Sequence, residues 1–260
     1  MPSEARTLQV HDAVRGLVFP AQLWVPEAGE AWPLVAISHG GGGSHQLYST
    51  VARQLAARGF VVVLPEHPGN NRRDNHLQGT LQNLEDRPRH LVLAMDAVRA
   101  DAELGPRVDV DRAAVVGHSM GGYTALAVAG GRAHSERGEP VAVSPDPRVR
   151  ALVLLAPATA WFMAPGALRD LDLPILLLEA EHDSITPAWQ GDLVQRGVAD
   201  SAKVIRRIVP GAGHFSFLTP FPPAMIRPDF APGNDPPGFD RAAFHRELPL
   251  EVSAFLEDRL

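Results

Sequence analysis

The 260-residue sequence reads as an α/β protein: one domain over residues 1–260, with a mostly parallel central sheet, an antiparallel N-terminal edge, helices on both faces and no large lid. Three observations carry that reading. Short apolar runs recur along the chain, most of them are continuous rather than alternating, and stretches with a helical apolar period separate them. Continuous apolar runs are what strands look like when helices cover both faces of their sheet. Composition agrees: 45% hydrophobic and 21% charged residues suit a folded globular chain, and no stretch approaches the roughly 20 apolar residues of a membrane span.

The elements follow in order. "TLQVHD" and "VRGLVFPAQLWVP", within the first 25 or so residues, predict an antiparallel pair at the sheet edge. Strands are then expected at "LVAIS" (34–38), "FVVVL" (60–64), "AAVVG" (113–117), "ALVLLA" (151–156), "PILLLEA" (174–180) and "KVIRRIVP" (203–210). Between the first two of these, Leu47, Val51 and Leu55 share one helical face and Gly59 supplies a left-handed cap. In "HLVLAMDAVRA", Leu91, Ala94, Met95 and Val98 recur at i, i+3, i+4 and i+7, the stripe of a helix packed on a sheet. "YTALAVAGG" continues from a strand as a small-residue helix, and another helix is expected after Pro187. Residues 65–80 and the proline-rich 219–238 lack a regular period, and loops of that length in a compact domain are often functional. From Asp240, a predicted N-cap, to Leu260 runs a closing helix interrupted or restarted at Pro249.

Charge and composition exclude several classes. A formal net charge of −6 argues against general nucleic-acid binding, which clustered Lys and Arg supply, so a small neutral or amphiphilic substrate is the expected partner. The absence of cysteine removes disulfides, thiolate metal sites and a cysteine nucleophile together. The stretch "MPSEARTLQVHDAVRG" carries Glu4 and Asp12 and no apolar block before a cleavage site, so the expected location is cytoplasmic, or secreted if a leader has been removed. Nothing in the sequence speaks to oligomeric state.

The chemistry centres on "VVGHSMGGYTALAVAGG". Gly117-His118-Ser119-Met120-Gly121 matches G-x-S-x-G, in which a strand turns sharply into a helix and lifts a serine oxygen above the sheet. Glycines flank the serine because side chains there would meet the neighbouring strand and helix. A serine hydroxyl needs a base, and the base needs an orienting carboxylate, in the chain order serine, acid, histidine. "LPILLLEAEHDSITP" ends one strand and offers Asp183; "IRRIVPGAGHFSFL" ends the next and offers His214 after a Gly-Ala-Gly turn. Of the 11 histidines, His39, His45, His67, His76, His90, His118 and His182 fail that order or lie on other elements. Glu179 and Glu181 read as strand-end or supporting groups, and "APATAWF" at the preceding strand end holds no carboxylate.

An attacked carbonyl becomes an oxyanion and needs N–H donors. "SHGGGGSH" offers unobstructed amides: Gly41 first, with Gly42 as the alternative, and Met120 after the nucleophile is the second donor. The four glycines are not a nucleotide loop, since G-x-x-x-x-G-K-[ST] is absent, as is G-x-G-x-x-G with a following acid in the expected context. For substrate contact, Trp161 and Phe162 of "ATAWFMAPGAL" form the candidate wall with Met163, and Phe215 and Phe217 of "FSFLTPF" are further candidates. Core packing explains the same residues equally well. Arg72 and Arg73 read as solvated loop residues.

With "SHGGGG", "GFVVVLPEHPGNN", "GHSMGGYTALAVAGG", "EHDSITP", "GAGHFSFL" and "GFDRAAFH" in this order, the chain from Leu34 onward resembles the α/β-hydrolases. More narrowly, it is similar to bacterial serine hydrolases of the predicted dienelactone hydrolase and platelet-activating-factor acetylhydrolase-like kind. The resemblance implies a triad of Ser119, Asp183 and His214, an oxyanion hole at Gly41 and Met120, and ester hydrolysis through an acyl-enzyme without metal or organic cofactor. Authentic dienelactone hydrolases use a cysteine nucleophile and this chain has none, so the resemblance leaves the substrate open. Lactone opening and acyl transfer use the same triad, and a noncatalytic binding protein on the same fold is the reading of another class.

Overall fold

The computed structural model describes residues 5–260, which leaves Glu4 of the N-terminal reading outside the described residues. Among these residues, eight strands form one sheet: β1 (Arg6–Asp12), β2 (Leu17–Trp24), β3 (Trp32–Ser38), β4 (Val61–Pro65), β5 (Val108–His118), β6 (Val149–Leu155), β7 (Ile175–Ala180) and β8 (Val204–Val209). Their spatial order is β1-β2-β4-β3-β5-β6-β7-β8. β1 pairs antiparallel with β2, and β2 antiparallel with β4, while every pair from β4 to β8 is parallel. Among the described residues, five α-helices surround the sheet: α1 (Ser49–Ala57), α2 (Leu81–Ala100), α3 (Met120–Val128), α4 (Trp189–Gly197) and α5 (Arg241–Glu257).

Alternate residues of a strand point to opposite faces, so each continuous apolar run fills two cores at once. On one face Leu34, Ala36, Val115 and Leu154 meet Leu91, Met95 and Val98 of α2, Leu126 of α3 and Val194 of α4. On the other, Val35, Ile37, Val116 and Leu155 meet Val51 and Leu55 of α1 and Leu248, Val252 and Leu256 of α5.

Three elements differ from the sequence reading, each for a physical reason. α2 begins at Leu81, well before the apolar stripe, with Thr80 Oγ1 accepting from Asn83 N as its N-cap. Its first half hides polar side chains, Asn83, Asp86 and Arg87, so no apolar period marks it. α5 runs unbroken through Pro249, because Phe244 and Leu248 before it and Val252, Phe255 and Leu256 after it are buried in one core. Packing on both sides outweighs the roughly 3 kcal/mol that proline costs within a helix. β8 is an edge strand with Ile205 and Ile208 exposed, so it is not buried on both faces.

The tightest packing lies where α3 crosses the sheet. A Cβ on Gly117 would sit 2.1 Å from Gly121 O, one on Gly121 1.9 Å from Ser38 O, and one on Gly122 2.4 Å from Pro157 Cβ. The obstacles at Gly117 and Gly121 are backbone atoms, which cannot rotate away. Gly121→Ala is therefore expected to destabilise the fold by about 3 kcal/mol or more, or to prevent soluble expression. Urea unfolding of the variant beside the parent chain measures this, and an unchanged midpoint would contradict the packing.

Candidate active site

At the end of β5 the backbone enters α3 through a single strained residue. Ser119 has φ 54° and ψ −120°, a region that side-chain-bearing residues rarely occupy. Its amide donates to Leu155 O at 3.1 Å, and its carbonyl accepts from Gly122 N at 2.8 Å and Ala158 N at 2.9 Å. Three backbone hydrogen bonds thus hold the strain from both sides. Ser119 borders a cavity of about 720 Å³.

Gly41 and Met120 border the same cavity and face one another: a Cβ on Gly41 would lie 3.6 Å from Met120 Cβ. Met120 opens α3, and amides of a helix's first turn have no acceptor inside the helix. Gly40 N donates to the Tyr48 hydroxyl at 3.1 Å, and Gly41 borders the cavity. Gly42 takes φ 62° and faces the Asn75 amide.

His214 opens a short 3-10 turn (His214–Phe217) beyond β8, and Asp183 lies in the loop beyond β7. His214 Nδ1 and Asp183 Oδ2 are 2.8 Å apart, and both side chains are buried. Asp183 Oδ1 accepts from Ile185 N at 2.8 Å and Thr186 N at 2.7 Å, and Oδ2 accepts from Thr186 Oγ1 at 2.8 Å. Burial pushes the Asp183 carboxyl up, but the His214 hydrogen bond and charge, together with the Thr186 amide and hydroxyl, outweigh it and hold it below its ordinary value. An ionised carboxylate only accepts, so Nδ1 of His214 donates to it.

A second chain of hydrogen bonds ties the base loop to the serine turn. Tyr48 OH lies 2.9 Å from His118 Nδ1, and His118 Nε2 lies 3.0 Å from His214 O. A carbonyl can only accept, so His118 is the Nε2–H tautomer and Tyr48 donates to its Nδ1. Burial first, and then the charge of His214, push His118 down to about 3, so it stays neutral. The base loop is also held from below: Gly213 N donates to Ser216 Oγ at 3.0 Å, Ser216 Oγ to Asp235 Oδ1 at 2.6 Å, and Asp235 pairs with Arg241 at 2.9 Å. Asp235 comes from the proline-rich loop, which thereby has a structural task.

Of the expected wall residues, Trp161 borders the cavity and sets its ring edge-on to Tyr123 at 5.1 Å. Phe162 does not border it: it is 2% exposed, stacks on Tyr123 at 5.6 Å and belongs to the core. Met163 points to solvent, 65% exposed. Phe215 packs edge-on to the His214 ring at 5.1 Å and against the second core, so it supports the base and is not part of the cavity lining. The sequence reading missed Asn70, Leu81, Leu84, Thr186 and Gln190, which border the cavity, and the 135–139 loop with Glu136 and Arg137. Only Asn70 had a signal, its place in the long 65–80 loop. Among the described residues no His, Asp and Glu cluster is arranged to hold a metal ion, and no helix is long and apolar enough to cross a membrane.

The strained serine turn on a sheet of this order defines the class: an α/β-hydrolase. The chain belongs to the Hydrolase_4 family, serine aminopeptidase, S33, whose model matches residues 29–169, more than half of the sequence. That stretch includes Gly41, Ser119 and Met120 and ends before Asp183 and His214. Among curated proteins, cutinase est2 of Thermobifida alba is 28% identical over 165 residues, covering 63% of this chain and 46% of that protein. Cutinase 2 of Thermobifida cellulosilytica is 28% identical over 167 residues, 64% of this chain and 53% of that one. The matched segment thus spans about half the length of these relatives. Among solved structures, a dienelactone hydrolase from Anabaena variabilis superposes with a TM-score of 0.67 at 18% identity over 100% of both chains. An esterase from Pyrobaculum calidifontis superposes with a TM-score of 0.61 at 22% identity, covering 99% of this chain and 86% of that one. These two likenesses establish the fold.

Several buried histidines are kept uncharged. Burial, aided by Arg87, pushes His39 down to about 3 and His67 well below its ordinary value. Burial holds His90 and His245 near 4. The unfolded chain takes up these protons near pH 6.5 while the folded chain refuses them, so stability falls as pH drops below about 6.5 and is insensitive to these groups above it. With His118 these are five histidines, and each contributes up to about 1.4 kcal/mol per pH unit. Urea midpoints are expected to be level from pH 8 to 7 and to fall steeply by pH 5, a loss of several kcal/mol. A level profile down to pH 5 would contradict the assignment.

Proposed function

We propose that this chain is a serine esterase that cleaves carboxylic esters with small or medium acyl groups through an acyl-enzyme intermediate. The observation that carries the reading is the pairing of His214 Nδ1 with the buried Asp183 at 2.8 Å, in a loop whose His214 carbonyl is tied at 3.0 Å to the residue preceding Ser119. In this reading His214 Nε2 takes the Ser119 proton as the hydroxyl oxygen attacks the ester carbonyl. Asp183 holds the tautomer that leaves Nε2 free and stabilises the imidazolium once it forms. The amides of Gly41 and Met120 receive the negative oxygen. His214 then returns its proton to the leaving alkoxide, and a water, deprotonated by the same nitrogen, releases the acid and regenerates Ser119. None of these steps uses a cofactor.

The substrate class rests on the cavity and on the relatives. Leu81, Leu84, Trp161 and Ile185 give apolar wall on which an acyl or alcohol group packs, and polar groups such as Thr186 and Gln190 interrupt it. A cavity of about 720 Å³ suits a small or medium ester. Relatives named cutinases support ester cleavage over amide cleavage.

Ser119→Ala and His214→Ala are each expected to keep the parent melting temperature and to lose about 10⁴-fold or more in kcat on p-nitrophenyl esters, with Asp183→Asn retaining more activity. A fluorophosphonate probe is expected to label Ser119 in the parent and to miss the Ala variant. Parent-like turnover by folded Ser119→Ala would remove the mechanism. Trp161 and Phe162 separate wall from core. Trp161→Ala is expected to change KM across an acyl-chain series, whereas Phe162→Ala is expected to lower stability by about 3–5 kcal/mol with KM unchanged.

A further inference from the structure

We infer that Arg87, on the hidden polar face of α2, is a positioning residue for the proposed oxyanion hole, holding both of its donor segments together with one buried positive charge. The inference rests on the reading of Ser119, Gly41 and Met120 given above. Arg87 is fully enclosed, among the largest wholly buried side chains of the protein. Its fork reaches three separate segments. Nη2 donates to His39 O and, at 3.3 Å, to Ser38 Oγ, at the exit of β3. Nη1 donates to Asn70 Oδ1 at 2.6 Å, in the long loop after β4. Nε donates to Thr124 Oγ1 at 3.1 Å, one turn into α3.

Each branch ends beside a donor of the hole. The His39 carbonyl belongs to the peptide that leads into Gly40 and Gly41. Asn70 stands against Gly41, where an added Cβ would meet Oδ1 at 3.8 Å. Arginine has only donors, so Asn70 must turn its oxygen to Arg87, and its Nδ2 donates to Asn75 Oδ1 at 2.6 Å. That amide is therefore spent on fixing the loop. Thr124 passes its own proton to Met120 O at 3.1 Å, clamping the residue whose N–H is the second donor.

None of these acceptors is a carboxylate. Asp86, next in sequence, is held by Arg15 at 2.8 Å, and no ion pair of Arg87 occurs among the described residues. A buried cation satisfied only by neutral acceptors is costly, and neutral donors would hold the same segments at less cost. The charge finds its counterpart when the tetrahedral oxyanion of the proposed reaction forms between Gly41 and Met120. Burial lowers Arg87 to about 9, which leaves it charged at neutral pH.

The test compares Asn70→Ala, Thr124→Val, Arg87→Lys and Arg87→Met with the parent. Hydrolysis of p-nitrophenyl butyrate, affinity for a trifluoromethyl ketone that forms the tetrahedral adduct, and melting temperature are measured for each. The two branch variants are expected to fold, to lose ~10- to 100-fold in kcat with KM within about 3-fold of the parent, and to lose ketone affinity by the same factor as kcat/KM. Arg87→Lys keeps the charge without the fork and is expected to outperform Arg87→Met. If Arg87→Met fails to fold, the branch variants decide. Folded branch variants with parent kcat and ketone affinity, or with losses confined to KM or melting temperature, would overturn the inference while leaving the esterase reading intact. A parent chain that neither hydrolyses esters nor is labelled at Ser119 overturns both.

Discussion

The contact on which the rest of the structure depends is the approach of α3 to the ends of β3 and β5, where Gly121 lies so near the Ser38 carbonyl that no Cβ fits between them. That approach forces the chain to turn within one residue, and Ser119 takes up the strain at φ 54°. Strain of this kind costs about 1–3 kcal/mol and persists only when the surroundings over-determine it. Here the surroundings are two close-packed cores, one on each face of the sheet, with α3 anchored in one of them by Leu126 and Val128. Core packing is thus the source of the strain, and the serine turn is where it is expressed.

The loops around the turn are stabilised mainly by polar contacts. Tyr48 sits at a junction: its hydroxyl accepts from Gly40 N and donates to His118, which in turn donates to the His214 carbonyl. One buried hydroxyl therefore links the glycine loop after β3, the serine turn after β5 and the histidine loop after β8. Burial raises the Tyr48 hydroxyl above its ordinary range and lowers His118, so neither group ionises near neutral pH and the link is a neutral one. A neutral relay holds geometry without adding a charge close to the imidazole that the proposed mechanism protonates.

The parallel sheet was legible because burial on both faces leaves unbroken apolar runs, and the antiparallel edge because β1 and β2 alternate. Gly117, Ser119 and Gly121 were legible because steric exclusion at a tight crossing leaves only small residues. What escaped detection is polar and buried. The first half of α2 hides Asn83, Asp86 and Arg87, which carry no apolar period, and Thr186 has no identity until Asp183 and His214 meet beside it. Trp161 and Phe162 are adjacent and chemically alike, yet the short 3-10 turn Ala160–Phe162 sends one to the cavity and the other into the core. No one-dimensional pattern separates them.

Electrostatics gives the proposed site a direction. The Asp183 carboxylate stands behind the imidazole, the Arg87 guanidinium stands behind the glycine loop and the start of α3, and the buried histidines between and around them, His39, His67 and His118, are held neutral. In the reaction proposed here, positive charge develops on His214 and negative charge on the carbonyl oxygen, so each fixed charge lies on the side of the charge it would stabilise. Protonating any of the three histidines would blur that separation, and their burial prevents it. The same burial that makes the fold sensitive to acid thus keeps the field of the site simple at neutral pH. A cluster of histidines that looks redundant as catalytic candidates is consistent, physically, with a layer of neutral, shape-fixing side chains around one carboxylate and one guanidinium.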